Sequence, residues 1–205
     1  MENVPVEMLR IMITSFLDTS GKFVNLEQSF EDQYSALNEE VKETKKAYIE
    51  NNAVEILDGI ADVLFVTMSL DILAMKMSGF KKDVYSVMVG YAGVKSLEDI
   101  SEVMSLLSSE EMSLLVIEAC VSNLTKFDTT KEEADVTKRH YENLGLKVTT
   151  VYNSDTKLYV TVSDIEQTDV NGKQYFANKV LKSKPNFKEP NFEQFLYLLE
   201  GKLDG

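Results

Sequence analysis

Two long stretches of helical periodicity, separated only by Asn51-Asn52, constrain this chain more than anything else in it. In the first, Phe30, Tyr34, Leu37, Val41 and Tyr48 recur at helical spacing up to about Ile49. In the second, Ile56, Ile60, Val63, Leu64, Thr67, Leu70 and Leu73 do the same to about Met77, and Gly79 ends the run. Each stretch opens on an asparagine with a capping-box partner three residues on, Asn25 with Gln28 and Asn52 with Glu55. A short turn between two long helices makes them antiparallel neighbours. The expected fold is therefore mainly α, an antiparallel helical bundle.

The same two stretches carry acids at one-turn spacing. Glu40 and Glu43 share a face of the first; Asp58 and Asp62 share a face of the second, with Glu55 one turn before them. Both pairs lie at similar distances from the connecting turn, so they are expected to face each other. Glu39, Lys42, Lys45 and Lys46 read as a solvated, mutually paired face. Asp58 and Asp62 interrupt an otherwise apolar helix beside Ile60 and Leu64. An unpaired carboxylate buried that deeply costs several kcal/mol, so a cation is expected to meet them. Glu55 has two readings, a capping-box residue or a ligand. Oxygen-only donors on neighbouring helices suit a hard cation such as Mg²⁺.

Charge limits the partners. A formal net charge of -13 disfavours a nucleic-acid or anionic-membrane surface, and a small anion such as a nucleotide would need metal ions or a local basic patch. The run from Ile60 to Met77 contains Asp62 and Asp71, so it reads as a core helix and not a membrane span. The single cysteine, Cys120, cannot form an internal disulfide or a Cys-rich zinc site. The N-terminal MENVPVEMLR has no basic region ahead of an apolar one. Both point to the cytoplasm.

Elsewhere, residues 4–17 read as a helix with Met8, Ile11, Met12, Ser15 and Phe16 as its apolar stripe. Residues 81–91 and 97–108 read as two shorter helices parted by Gly90 and Gly93. A further helix runs from Ser109 to about Phe127, and a polar one spans 131–144, closed by Gly145. LKVTTVYNSDTKLYVTVSD alternates around an Asn153-Ser154-Asp155 turn and reads as a β-hairpin. The segment after it is irregular, broken by Pro185 and Pro190. It is locally basic, with Lys173, Lys179, Lys182, Lys184 and Lys188 against Asp169 and Glu189. A short helix, Phe192 to Leu199, follows. Two parts are expected: a helical part, 1–145, and a part of hairpin, basic tail and short helix, 146–205. His140 reads as a surface residue and Cys120 as a buried structural thiol.

EEVKE followed by EILDGIADVLF resembles the all-α nucleoside triphosphate pyrophosphatases, which include MazG, the dimeric dUTPases and dCTPases, and phosphoribosyl-ATP pyrophosphohydrolase. Glu40-x-x-Glu43 matches the first half of their signature. The second half resembles the D-G-x-A-D-hydrophobic form of phage and bacterial MazG-like proteins and falls on Asp58 and Asp62. MazG itself has Glu where Gly59 stands here. Either Asp58 takes over that role, or Glu55-x-x-Asp58 is the literal pair. EACVSNLTKFD resembles the group's N-x-x-K-F helix, with Glu118 in support, although Asn123 and Lys126 also suit an ordinary helix C-terminus. KVLKSKPNFKEPNF resembles its C-terminal G-K-x-L-K-x-x-x-F-x-x-P-D segment through Lys179, Lys182, Phe187 and Pro190, with Asn191 in place of Asp. A basic loop in an acidic protein suits a phosphate clamp; a solubilising tail packed through Phe187 and Phe192 is the other reading. The resemblance spans roughly residues 25–75 and 115–195, which leaves 79–112 as an insertion.

The resemblance implies a Mg²⁺-dependent (or Mn²⁺-dependent) hydrolase that cleaves a nucleoside triphosphate to the monophosphate and pyrophosphate. Glu40, Glu43, Asp58 and Asp62 would hold metal, with Glu43 or Glu40 as general base. Asn123, Lys126, Lys179 and Lys182 would contact the substrate. It also implies a homodimer or higher homo-oligomer, in the host cytoplasm if the protein is phage-encoded. The Gly59 departure and the 79–112 insertion motivate the alternative, a non-catalytic module that binds nucleotide or protein. The hairpin and basic tail argue against phosphoribosyl-ATP pyrophosphohydrolase itself.

Overall fold

The structure, a computed structural model, describes residues 6–203. It is mainly helical, and the chain divides into two compact units. One comprises the residues up to Leu17, Lys22–Cys120 and the residues from Pro190 on; the other comprises Asp18–Gly21 and Val121–Glu189. The division therefore falls near Cys120 and Glu189, and not at residue 145 as the sequence suggested. The reason lies in the second unit, where the polar helix at 131–143 packs on the hairpin that follows it.

The first unit is built on most of α1 (Val6–Thr19), α2 (Leu26–Ile49), α3 (Ala53–Lys76), α4 (Gly79–Asp99), α5 (Ser101–Met104) and most of α6 (Ser109–Leu124). The caps expected from the sequence are present. Asn25 Oδ1 accepts from the Gln28 amide at 3.2 Å, and Asn52 Oδ1 accepts from the Glu55 amide at 3.4 Å. Each satisfies one of the amides that a helix start leaves without a partner. Asn51 takes a positive φ in the turn, a conformation asparagine tolerates better than most residues. α3 is buried almost all round: Ile56, Leu57, Ile60, Val63, Leu70 and Leu73 are all at or below 2% exposure. That is the signature of a central core helix. The stretch predicted to be core and not membrane, Ile60 to Met77, lies in it up to Lys76, with Met77 as its cap, and among the described residues no helix is long and apolar enough to cross a membrane.

Two expectations for this unit change. α1 buries Leu9, Ile13, Phe16 and Leu17, while Met8 and Ile11 are exposed. Its two candidate stripes have the same period, and only packing selects between them; Phe16 meets Phe65 of α3 edge to face at 5.5 Å. The predicted start of this helix at residue 4 lies outside the described residues. The two short helices expected at 81–91 and 97–108 are one helix, α4, followed by the single turn of α5. Gly90 and Gly93 sit inside α4 with nothing near their missing side chains, so they cost helix propensity without breaking the helix. α4 is fastened by Tyr85 edge-on to Phe30, and leaves Phe80, Val84, Val87 and Met88 exposed.

The second unit contains α7 (Lys131–Asn143), the antiparallel hairpin β1 (Val148–Asn153) with β2 (Leu158–Ser163), and a smaller antiparallel pair, β3 (Gln167–Thr168) with β4 (Gln174–Tyr175). β1 and β2 pair from Val148 with Ser163 to Asn153 with Leu158. Asn153 makes the turn as expected, its side chain accepting from the Asp155 and Thr156 amides. Thr150 and Thr161, directly opposite in register, hydrogen-bond at 2.9 Å. Tyr141, Leu146, Val148, Tyr175 and Leu181 form a small core. The β3–β4 pair was not foreseen. Its strands are two residues long, too short for alternation to register, and Asp169 holds its turn by accepting from the Asn171 and Lys173 amides. The expected terminal helix is a 3-10 helix, Phe192–Leu198, in the first unit.

Charge is unevenly divided. The second unit holds 11 of the 21 basic and 11 of the 34 acidic residues, so its formal charge is zero and the full -13 belongs to the first.

Candidate functional site

The four predicted metal ligands lie on the α2–α3 pair, the most extensive helix–helix contact among the described residues. The two helices come close where Gly59 stands against Thr44. A Cβ placed on Gly59 would sit 2.3 Å from Thr44 Oγ1 and 3.1 Å from the Thr44 backbone. Thr44 is wholly buried and donates its hydroxyl to the Glu40 carbonyl at 2.6 Å. Each contacting residue is next in sequence to a predicted ligand: Glu43 precedes Thr44, and Asp58 precedes Gly59. A larger side chain at position 59 would push α2 and α3 apart, which accounts physically for the glycine.

The four predicted metal ligands are less enclosed than the sequence suggested. Glu40, Asp58 and Asp62 are half-buried and Glu43 is exposed. The expected deep burial of Asp58 and Asp62 is corrected, because they stand on the flank of α3 and its buried positions are apolar or small. Glu55 is exposed, and its backbone amide is the one that Asn52 caps. The donor set is oxygen-only, which suits a hard dication. Among the described residues no three His, Cys, Asp or Glu side chains converge as a metal-holding group, so these acids do not form a closed cage. Mg²⁺ is the kind of ion that takes one or two carboxylates and completes its shell with water and phosphate oxygens. Glu39, Lys42 and Lys46 are exposed, as expected of a solvated face, and Lys45 is half-buried and paired with Asp99 at 2.8 Å.

The predicted phosphate contacts belong to the second unit. Asn123 is buried at the end of α6, and its carbonyl accepts from the Lys126 amide at 3.1 Å. The Lys126 carbonyl in turn accepts from the Ser183 amide at 3.1 Å, so the N-x-x-K segment and the basic loop are adjoining strands of chain. Lys179 has an exposed side chain, and its carbonyl accepts from the Ser163 amide beside β2. Lys182 is differently placed: its Nζ meets both carboxylate oxygens of Glu189, at 2.9 and 3.1 Å, and lies 4.2 Å from the Phe187 ring centroid. Glu118 accepts from the Asn191 amide at 2.7 Å and from Gln194, fastening the chain ahead of the 3-10 helix.

The sequence did not single out the residues that hold the basic loop in place. Asp128 is 1% exposed, and its Oδ1 accepts from Thr137 Oγ1 at 3.1 Å and Ser183 Oγ at 2.5 Å. Thr137 Oγ1 accepts from the Lys184 amide, and Ser183 Oγ accepts from the Asn186 amide. Burial pushes the Asp128 carboxyl above its usual range, against the two hydroxyl donors. Glu133 closes a capping box with Thr130 and accepts from Asn186, Thr129 and the Thr130 amide. Led by the Asn186 bond, these donors hold its carboxyl down to about 2. The segment that reads as irregular is thus bonded at Ser183, Lys184 and Asn186. The capping-box spacing of Thr130-x-x-Glu133 is the one signal in the sequence that could have found part of this network; a buried aspartate between two distant hydroxyls has no local pattern.

His140 is half-buried and edge-on to Tyr141, with its pKa lowered by burial and by Lys184. Cys120 is buried, which pushes its thiol up to about 12, so its reactive thiolate form is suppressed.

No family model matches this chain, and no curated protein and no solved structure matches it.

Proposed function

We propose that this protein is a Mg²⁺-dependent nucleotide pyrophosphohydrolase of the all-α, MazG-like type, cleaving a nucleoside triphosphate to the monophosphate and pyrophosphate. One observation carries the reading: the E-x-x-E turn of α2 and the D-G-x-x-D turn of α3 flank the close approach of Gly59 to Thr44 in an antiparallel helix pair. Glu40, Glu43, Asp58 and Asp62 would hold Mg²⁺, with Mn²⁺ as a substitute. A bound dication supplies charge neutralisation for the triphosphate and lowers the pKa of a water molecule. The need for neutralisation is acute here, because these acids belong to the unit that carries the whole net charge.

Glu43 takes the proton of the attacking water in this reading, since it is the exposed member of the set; Glu40 is the other candidate. Lys126, Lys179 and Lys182, with Asn123, are the proposed contacts to phosphoryl oxygens. Asp58 is preferred to Glu55 as the first ligand on α3, because Glu55 sits at the capped first turn. A homodimer or higher homo-oligomer is part of the proposal, to be checked by light scattering.

The test is a panel of deoxynucleoside and nucleoside triphosphates with Mg²⁺, scored for pyrophosphate release. Release from at least one, lost in Glu43→Ala and Asp62→Ala, is the expected result. No release from any rejects hydrolysis. Calorimetric nucleotide binding without product would instead indicate a non-catalytic binding module.

A further inference from the structure

We infer that Lys182 is a binding site for phosphate-class oxyanions that the chain's own Glu189 occupies as an internal competitor. The inference rests on the reading above in one respect only, that Lys182 contacts phosphate groups.

Both partners are fixed by their backbones, which distinguishes this pair from an ordinary surface contact. The Lys182 carbonyl accepts from Tyr141 Oη at 3.1 Å, and the next residue, Ser183, is bonded through its amide to Lys126 and through its hydroxyl to Asp128. The lysine head is further held near the face of Phe187, where the ring's negative face favours a cation. On the other side, Lys188 is pinned twice: its amide donates to Thr125 Oγ1 at 2.9 Å, and its carbonyl accepts from Ser122 Oγ at 2.8 Å. Glu189 follows it directly. An ammonium and a carboxylate are thus presented to each other by two anchored stretches of chain.

The contact has the chemistry of the ligand it would exclude. An ammonium offers up to three donors, and here it meets two oxygens of one anion, as it would two oxygens of a phosphate. Magnitude decides how strong the competition is. The side chains are 43% and 70% exposed, and solvent-exposed pairs contribute about 0.2–1 kcal/mol. Glu189 therefore tunes affinity and does not lock the site. A pyrophosphate, with more negative charge than one carboxylate, displaces it. Lys184 and Lys188 stand exposed between the two partners in the sequence and favour the same class of ligand.

The experiment is calorimetric titration of the full chain with inorganic pyrophosphate, without divalent metal, at low ionic strength. Wild type, Glu189→Gln, Lys182→Gln and the double variant are compared, with Glu189→Ala as a second probe of the same position. The expected result is binding about 1.4- to fivefold tighter in Glu189→Gln, the fold-change equivalent of an exposed pair. Weaker binding is expected in Lys182→Gln, and the double variant should match Lys182→Gln. Unchanged or weaker binding in both Glu189 variants, undiminished binding in Lys182→Gln, or no binding by any of the proteins overturns the inference. Turnover separates the two claims. Pyrophosphate release by wild type with no gain in Glu189→Gln affinity overturns the competitor alone. Tightened binding without turnover of any nucleotide leaves the competitor standing and rejects hydrolysis.

Discussion

Gly59 has no space for a side chain because Thr44 fills it, with Oγ1 2.3 Å and Cα 3.1 Å from where a Cβ would be. This contact brings α2 and α3 together immediately beside Glu43 and Asp58. It explains why a glycine, poor in helix propensity, stands in the middle of the most buried helix in the chain.

Gly59→Ala should therefore destabilise the protein. Helix propensity alone favours alanine by about 1 kcal/mol, but overpacking costs about 1–3 kcal/mol, and the backbone atom at 3.1 Å cannot move as a side chain can. A net loss is expected in urea unfolding. Adding Thr44→Ala should recover part of it, since that removes the nearest atom and leaves the backbone contact.

Substitution of the proposed chemical groups should separate activity from stability. Glu43→Gln should lower kcat by about 10²-fold or more, the scale of a lost general base. Because Glu43 is exposed, its melting temperature should hardly change. Near-normal activity in this variant moves the base to Glu40.

Metal should bind the folded chain and raise its stability. At a hundredfold excess over Kd, a ligand specific to the folded state adds about 2.7 kcal/mol. Thermal melts with and without Mg²⁺ or Mn²⁺ should show this for wild type and not for Asp62→Asn. Wild-type melts unchanged by either ion reject the assignment of these acids as ligands.

Acid should loosen the second unit through Glu133. Its carboxyl is held down to about 2 from an ordinary 4.5, chiefly by Asn186 and Thr129. The folded state thus binds this proton more weakly than the unfolded one, and the stabilisation is present above pH 4.5 and lost as pH falls towards 2. Glu133→Gln should reduce the pH dependence of unfolding in that window, measured by circular dichroism.

Asp128 has the opposite sign. Burial raises its pKa, so its favourable contribution is complete below the ordinary carboxylate range and lost as pH rises through the raised value. Asp128→Asn keeps an acceptor for Ser183 and Thr137 and removes the buried charge. At pH 7 it should lie within about 1 kcal/mol of wild type, or be more stable. Asp128→Ala leaves both hydroxyls without their acceptor, at about 1–3 kcal/mol. Equal losses in the two variants, measured by chemical denaturation, contradict this account.

The sequence by itself determined the features set by local chemistry. The α2–α3 pair was legible because its caps, turn and apolar period lie within a few residues of one another. Asn25, Asn52 and Asn153 act where their positions indicated, each bonding an amide two or three residues on. The burial of Cys120 followed from its apolar neighbours.

Only tertiary structure decided which face of α1 is buried, because Met8/Ile11 and Leu9/Ile13 share one period and differ only in what they meet. It decided that Gly90 and Gly93 lie within a continuous helix, since a glycine's cost is small against the packing of Tyr85 on Phe30. It set Asp58 and Asp62 on a half-buried flank, paired Lys182 with Glu189, and joined Asp128 to Ser183 across 55 residues of chain. It also assigned Gly59 its role, because the atom that excludes a side chain there belongs to the neighbouring helix. Such contacts have no sequence signature: periodicity records the face a residue presents, and the partner on that face comes from elsewhere in the chain.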